Sequence, residues 1–272
     1  MAKKQGKKAK HAFFEDSYKL HVPTGSYENG ACLGPHRSYW KANDSCSYRW
    51  QGVKKAEENP GPYNSHPNKK YHLGGTGWGW PAESSVKSGR AGDVIFKGEI
   101  KTFGKRVKQK VQARNFTNGF APYGNQVHHI LPTATLRNCI DATTKSNVDQ
   151  IKNICDGLLK EKYNLNFKKN MLILPTTWRH ACKIGLPVHL GDHPNYSDEI
   201  KTKVMRALSP WDQAASQGEE HPEPDFFDLK YELEALEDNM YVSITSHGTQ
   251  TIKGHCADPK VTVDQLPKVV FG

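Results

Sequence analysis

The chain has 272 residues, of which 36% are hydrophobic and 10% aromatic, with 23 glycines and 16 prolines. This length and composition are typical of a folded protein rich in loops, with one large domain or two small ones. No stretch approaches the ~18 consecutive apolar residues of a membrane helix. The basic N-terminus MAKKQGKKAKH lacks the apolar run of a signal peptide. We therefore expect no membrane partner and, if the protein leaves its cell, delivery by a route independent of a signal peptide.

Charge is unevenly distributed along the chain. The net charge of +10 and the pI of about 9.2 favour a polyanionic partner, nucleic acid first. Residues 97–114 hold seven Lys or Arg and one Glu, whereas residues 219–238 hold nine carboxylates and one Lys. We predict that the acidic stretch forms a solvated helix or a partner surface. The predicted nucleic-acid-binding residues are Lys101, Lys105, Arg106, Lys108, Lys110 and Arg114.

The first part of the chain carries many turn signals. Residues 1–11 are predicted to be a flexible basic tail, and residues 12–110 a Gly/Pro/aromatic-rich region of unknown role, made of loops and short strands. The run AGDVIFKGEIK (91–101) is its clearest strand pattern. No long 3.6-residue periodicity indicates a helix there.

After residue 110 the pattern changes to helices and short apolar runs. Helices are predicted over 133–144, over 147–163, where apolar residues form one stripe, and over TTWRHACKIG (176–185). Another is predicted over 196–208 with Ser197 as N-cap, and one over 225–239. NMLILP (170–175) is a short apolar run closed by proline. We assign residues 111–210 to a core domain, and residues 211–272 to an acidic helix and an extended C-terminal segment.

The six cysteines form no C-x-x-C motif and no tight disulfide framework. Buried thiols are the default expectation. Cys32 and Cys46 would be able to pair across their loop in an oxidising compartment.

The run NQVHHILP (125–132) places two adjacent histidines in a predicted strand that ends near a proline. Farther along, HLGDH gives an H-x-x-x-H spacing at His189 and His193. On a helix that spacing puts both imidazoles on one face, but Gly191 makes a turn leading into a helix equally consistent. Taken singly, each histidine is more often a packed residue than a ligand, and His180 is assigned no role. The histidine pair, Asn170 and the H-x-x-x-H motif, found in this order along the chain, are harder to explain by chance.

Neutral imidazoles bind first-row divalent metals well. Three such ligands with an open position suit a hydrolytic site, where the metal polarises a phosphate oxygen and stabilises the leaving oxyanion. A further histidine, with its ordinary pKa near ~6.5, suits proton abstraction from water. This chemistry would explain why His128 and His129 are adjacent, since one imidazole would bind the metal and its neighbour would act as the base. Neighbours on a regular strand point to opposite faces, so both reach one site only if the strand ends or twists there.

The segment from about Tyr123 to Leu208 resembles the AHH-type toxin nucleases of the HNH/endonuclease VII (His-Me finger) superfamily. The resemblance is carried by VHHILP, then a helix, then NLNFKKNMLILP, then HLGDHPNYSDEIKTKVMRAL. Val127 stands where that family usually has alanine. The resemblance covers roughly a third of the chain, and residues 1–110 and 210–272 match no family that we recognise.

The resemblance implies an α+β fold with a ββα-metal core, helical additions and a preceding loop-rich region with short strands. It implies that His128 is a metal ligand, that His129 is the general base, and that Asn170 holds the base by hydrogen bonding. His189 and His193 would complete the site for one divalent ion, with Mg, Mn, Zn and Ni left open.

The expected function is a metal-dependent endonuclease that hydrolyses phosphodiester bonds, with DNA favoured over RNA; the choice stays open because phosphate-directed groups contact both. As the resemblance implies, it would be an antibacterial toxin delivered by a type VI-like system into the target cytoplasm and neutralised by a cognate immunity protein. Residues 12–110 would then bind a carrier, an adaptor or DNA. A homing or restriction-type nuclease is disfavoured because we find no sequence-reading element.

A non-catalytic nucleic-acid- or partner-binding protein with a structural metal site is the alternative from another class. Structural zinc sites usually have four ligands and favour cysteine. Cys182 is the only cysteine within a few residues of a proposed ligand, which disfavours this alternative.

Overall fold

The computed structural model shows a mixture of helices and small antiparallel sheets, which is the predicted α+β class. The residues that it describes are 20–22, 30–34, 40–63, 99–102, 105–108, 113–119, 124–176, 181, 184–189, 193–212 and 225–255. The predicted helix over TTWRHACKIG lies largely outside these residues. None of the helices described is long and apolar enough to cross a membrane.

The N-terminal part begins with a short hairpin. Strand β1 (His21–Val22) pairs antiparallel with β2 (Ala31–Cys32), and His21 lies opposite Cys32. Helix α1 (Tyr48–Glu58) follows, where the sequence predicted no helix. Its buried residues include Arg49, Gln51 and the glycine at position 52, so the apolar stripe that normally reveals a helix is interrupted by polar and small residues.

A second hairpin joins β3 (Glu99–Thr102) to β4 (Lys105–Lys108). Its register places Lys101 opposite Arg106 and Glu99 opposite Lys108. The N-terminal part of the predicted strand, residues 91–98, lies outside the described residues.

A two-stranded sheet lies at the centre of the segment that holds the histidines. It consists of β5 (Asn125–His129) and β6 (Met171–Pro175). The Ile130 N–H donates to the Asn170 carbonyl at 3.0 Å, and the Thr176 N–H donates to the Gly124 carbonyl at 2.9 Å. Every residue of β6 is buried, as expected for the apolar run that the sequence shows.

Two helices separate these strands in sequence. Helix α2 (Thr133–Thr143) and helix α3 (Val148–Lys160) lie where they were predicted. The Asn147 side chain caps α3 by accepting hydrogen bonds from the N–H groups of Asp149 and Gln150. The predicted stripe of α3 is buried from Ile151 onward, whereas Val148 is 36% exposed.

The last two helices differ from their predicted bounds. Helix α4 (Pro194–Ala207) begins at Pro194 with His193 as N-cap, so the prediction that Ser197 caps it is wrong. Proline suits the first helical position because its missing N–H needs no partner there. Helix α5 (Phe226–His255) continues well beyond Asn239, where an extended segment was predicted. The buried face of α5 includes Met240, Tyr241 and Ile244, which lie beyond the predicted end of the helix.

The chain divides into two compact units. The first comprises Met1–Gln51, His129–Met171 and His193–Tyr241. It contains α2, α3 and α4, whose fully buried side chains include Ile140, Ile154 and Val204. The second comprises Gly52–His128, Leu172–Asp192 and Val242–Gly272. In it the ring of Tyr63 packs edge-on against that of Phe116 at 5.6 Å.

Candidate active site

His129, the predicted base, is the last residue of β5 and is half-buried. Its Nε2 lies 3.0 Å from Oδ1 of Asn166. The Tyr48 ring lies beside the imidazole, with 5.0 Å between ring centroids. Burial lowers the pKa of His129, and the hydrogen bond to Asn166 offsets part of that effect. A lowered pKa keeps the imidazole neutral at neutral pH, which is the form that can accept a proton.

Asn166, which the sequence analysis did not single out, is the side chain that holds His129. It is fully buried, and its Nδ2 donates to the Gly34 carbonyl at 3.1 Å and to the Cys32 sulfur at 3.4 Å. Its own N–H donates to Oδ1 of Asn164 at 2.9 Å. The run YNLNFKKN contains three asparagines, and nothing in their spacing distinguishes this one as the partner of a histidine 37 residues away.

Asn170 does not hydrogen-bond the His129 side chain, as the resemblance implied that it would. Its Oδ1 accepts from the Leu131 N–H at 2.6 Å, and its Nδ2 donates to the carbonyls of Leu131 at 3.1 Å and Leu165 at 2.8 Å. These bonds satisfy a fully buried amide and fix the backbone two residues after His129. Asn170 therefore supports the base through the chain rather than through the imidazole.

The predicted metal ligands His128 and His189 lie close together in the second unit. His128 is buried, His189 is half-buried, and their ring centroids are 5.2 Å apart. The His189 N–H donates to the Pro175 carbonyl at 2.9 Å, which places His189 beside the end of β6. His128 and His129 thus have different ring neighbours, as expected for consecutive residues of a strand.

His193, the third predicted ligand, is the N-cap residue of α4 in the first unit. Its ring lies 5.6 Å from that of Tyr196, whose hydroxyl donates to the Ile130 carbonyl at 2.6 Å. Because α4 begins at Pro194, the H-x-x-x-H motif lies ahead of the helix and not on it. His189 and His193 therefore do not lie together on one helix face, and the residues between them, 190–192, lie outside the described residues.

The three predicted metal ligands, His128, His189 and His193, are all imidazoles, the donor type expected for a divalent-metal site. The donor set fits this role, since three imidazoles bind Zn²⁺, Ni²⁺ and other first-row divalent ions. Three protein ligands also leave coordination positions open for water or substrate.

The predicted basic residues are only partly described. Lys101 lies on β3, and Lys105, Arg106 and Lys108 lie on β4. Arg114 is exposed in a 3₁₀ turn, whereas Lys110 and the unassigned His180 lie outside the described residues. Their role in nucleic-acid binding stays a prediction.

Comparison with known proteins relates one segment of the chain to a nuclease family. Residues 110–233 match the model of a nuclease family of the HNH/ENDO VII superfamily with conserved AHH. This segment matches the AHH nucleases. The AHH segment, residues 110–233, holds all five residues predicted for catalysis and metal binding. The resemblance found over residues 123–208 is confirmed. No curated protein and no solved structure gives a match to this chain.

Proposed function

We propose that the protein is a metal-dependent endonuclease that hydrolyses phosphodiester bonds, in DNA rather than RNA. The observation that carries the proposal is that the AHH segment places a buried asparagine, Asn166, on the imidazole of His129. A histidine that is kept neutral and held in one orientation is suited to remove a proton from an attacking water.

In this proposal each residue has a distinct task. His129 accepts the proton of the attacking water, and Asn166 holds its ring. Asn170 fixes the backbone that follows the base. His128, His189 and His193 would hold one divalent ion. Such an ion, when bound, supplies Lewis-acid stabilisation of the phosphate and of the leaving oxygen.

The order of elements suits a ββα-metal core. Strand β5 carries His128 and His129, β6 pairs with it, and α4 follows with His193 at its start. Assignment of these three elements to such a core belongs to the proposal. It is supported by the AHH match and by the positions of His129 at the end of β5 and of His193 at the start of α4.

We place this activity in competition between bacteria. The protein would act as a toxin in the cytoplasm of a target cell, delivered by a type VI-like system with a carrier or adaptor, and an immunity protein would neutralise it in the producer. The resemblance to AHH-type toxin nucleases and the basic charge of the chain support this part of the proposal.

The first test is cleavage of supercoiled plasmid by the purified chain with Mg²⁺, Mn²⁺, Zn²⁺, Ni²⁺ or EDTA. We expect metal-dependent nicking that His129→Ala reduces by at least ~100-fold, since a positioned acid–base group contributes about 10²–10⁴-fold. His180→Ala, in the same segment but with no assigned role, is the matched control. Equal cleavage by His129→Ala and wild type would rule out the assigned base. Cleavage of RNA and not DNA would show that the substrate is RNA.

A further inference from the structure

A second group of metal-binding side chains lies in the first unit. The ligand atoms of His21, Cys32 and Cys46 all lie within 4.8 Å of one another. The Cys46 sulfur is 3.0 Å from Nδ1 of His21. Cys32 and Cys46 are buried thiols that are not joined in a disulfide. We propose that His21, Cys32 and Cys46 bind a zinc ion, separate from the nuclease metal site.

The local fold brings these three residues together from distant positions in the sequence. The register of the first hairpin sets His21 directly opposite Cys32. Cys46 comes from the loop before α1, and that loop approaches the start of β2 closely. A Cβ at Gly30 would lie 2.0 Å from the Ser45 hydroxyl oxygen, so only glycine allows this approach.

The donor chemistry selects zinc. Thiolate ligands favour Zn²⁺ over Mg²⁺, Ca²⁺ and Mn²⁺, and a Cys₂His set is a known zinc-binding combination. In a tetrahedral site with Zn–S of about 2.3 Å and Zn–N of about 2.0 Å, neighbouring ligand atoms lie roughly 3.4–3.8 Å apart. The observed spacing needs only small shifts to reach that geometry.

The zinc site would also act on the candidate base, a consequence that rests on the proposed nuclease function. Cys32 accepts a hydrogen bond from Asn166, whose Oδ1 contacts His129. The backbone of Cys32 is bonded to the same loop, with its N–H donating to the Tyr163 carbonyl at 3.0 Å and its carbonyl accepting from the Leu165 N–H at 2.8 Å. An ion that fixes Cys32 therefore fixes the loop that carries Asn166.

Cobalt substitution separates this site from the imidazole site. The full chain, stripped of metal and loaded with Co²⁺, should show a thiolate-to-cobalt charge-transfer band, which a site made only of imidazoles cannot give. We expect the band to disappear in Cys32→Ser and Cys46→Ser. It should persist in His128→Ala and in Cys139→Ala, a matched control that removes a buried cysteine outside the cluster.

A second measurement does not depend on the folding of the variants. Zinc bound to the wild-type chain should protect Cys32 and Cys46 from alkylation, as read by mass spectrometry of peptides, while leaving the alkylation of the other cysteines unchanged. Absence of the cobalt band in the wild type, a band that survives both serine variants, or zinc that leaves Cys32 and Cys46 unprotected would overturn the proposal. So would a Cys32–Cys46 disulfide in protein purified without reductant.

These readouts need no nucleic acid, so failure of the nuclease proposal leaves them intact. If both proposals hold, Cys32→Ser should reduce plasmid cleavage by about 10–100-fold, the range typical of residues that orient a catalytic group or ligand. Cys139→Ala should cleave as the wild type does.

Discussion

Two asparagines of one short loop, Asn166 and Asn170, have different partners. Asn166 bonds the imidazole of His129, and Asn170 bonds backbone groups of Leu131 and Leu165. The sequence led to the histidines because two adjacent imidazoles in a strand have few structural explanations. It did not lead to Asn166, because the side chain that a buried amide contacts is decided by tertiary packing and not by spacing along the chain.

Replacing Asn166 by alanine should impair the chemical step more than substrate binding. We expect kcat to fall about 10–100-fold with little change in KM, since the imidazole loses its orienting partner. Steady-state cleavage of a short DNA duplex would measure both constants. Asn170→Ala is the comparison, because it removes three buried hydrogen bonds to backbone and should mainly lower the melting temperature. An equal fall in cleavage for both variants, in proportion to the decrease in stability, would show that Asn166 has only a structural role.

At the scale of elements, α5 is the clearest departure from prediction. Its acidic residues were expected to be solvated or to face a partner, yet Glu237 is buried and accepts a hydrogen bond from the Tyr163 hydroxyl at 2.6 Å. Glu234 pairs with Lys169 at 2.8 Å. A run of charged residues indicates exposure only on average, since a single carboxylate can be buried where a hydrogen-bond donor is available to it. The donor here comes from the loop after α3, which no local pattern reveals.

The buried carboxyl of Glu237 should make stability depend on pH. Burial raises its pKa from 4.5 to about 8, with Glu234 and Asp238 adding to the rise and the Tyr163 hydroxyl and Lys169 opposing it. The unfolded chain then loses this proton at lower pH than the folded one. Hence the contribution of Glu237 to the free energy of unfolding should be greatest below pH ~4.5 and decrease by roughly 3–5 kcal/mol as the pH rises towards about 8.

Denaturant unfolding at a series of pH values would measure this effect. Glu237→Gln, which keeps the shape and cannot ionise, should flatten the profile across that window. Glu232→Gln, on the same helix but exposed, should leave it unchanged. A profile that is the same in Glu237→Gln as in the wild type would contradict the assignment.

At the scale of the whole molecule, the predictable part coincides largely with the AHH segment. Its helices α2 and α3 and the apolar run of β6 lie where local periodicity placed them. The N-terminal region was harder to predict from the sequence, because α1 buries Arg49 and Gln51 and has no apolar stripe. Its hairpin is only two residues long on each side, so it is set by contacts with distant residues such as Tyr163 and Leu165.

The net charge of +10 predicts strong salt dependence of nucleic-acid binding. If β4 lies on the phosphate backbone, replacing Lys105, Arg106 and Lys108 by glutamine should weaken DNA binding. The slope of log K against log salt should also decrease in magnitude by about one for each phosphate that is no longer neutralised. Fluorescence anisotropy with the inactive His129→Ala chain would measure it. Replacement of Lys54, Lys152 and Lys203, whose amino groups pair with acids on their own helices, is the matched control. An unchanged slope in the β4 variant would remove the hairpin from the interface.

The hydrogen bonds of Asn166 also determine where the proton of His129 resides. Its Nδ2 is directed to the Gly34 carbonyl, which can only accept, so the amide presents its oxygen to Nε2 of His129. A neutral His129 must therefore be the Nε2–H tautomer, with its lone pair on Nδ1. The attacking water would have to approach the Nδ1 edge of the ring, and nitrogen NMR shifts of labelled His129 would report that tautomer before any substrate is added.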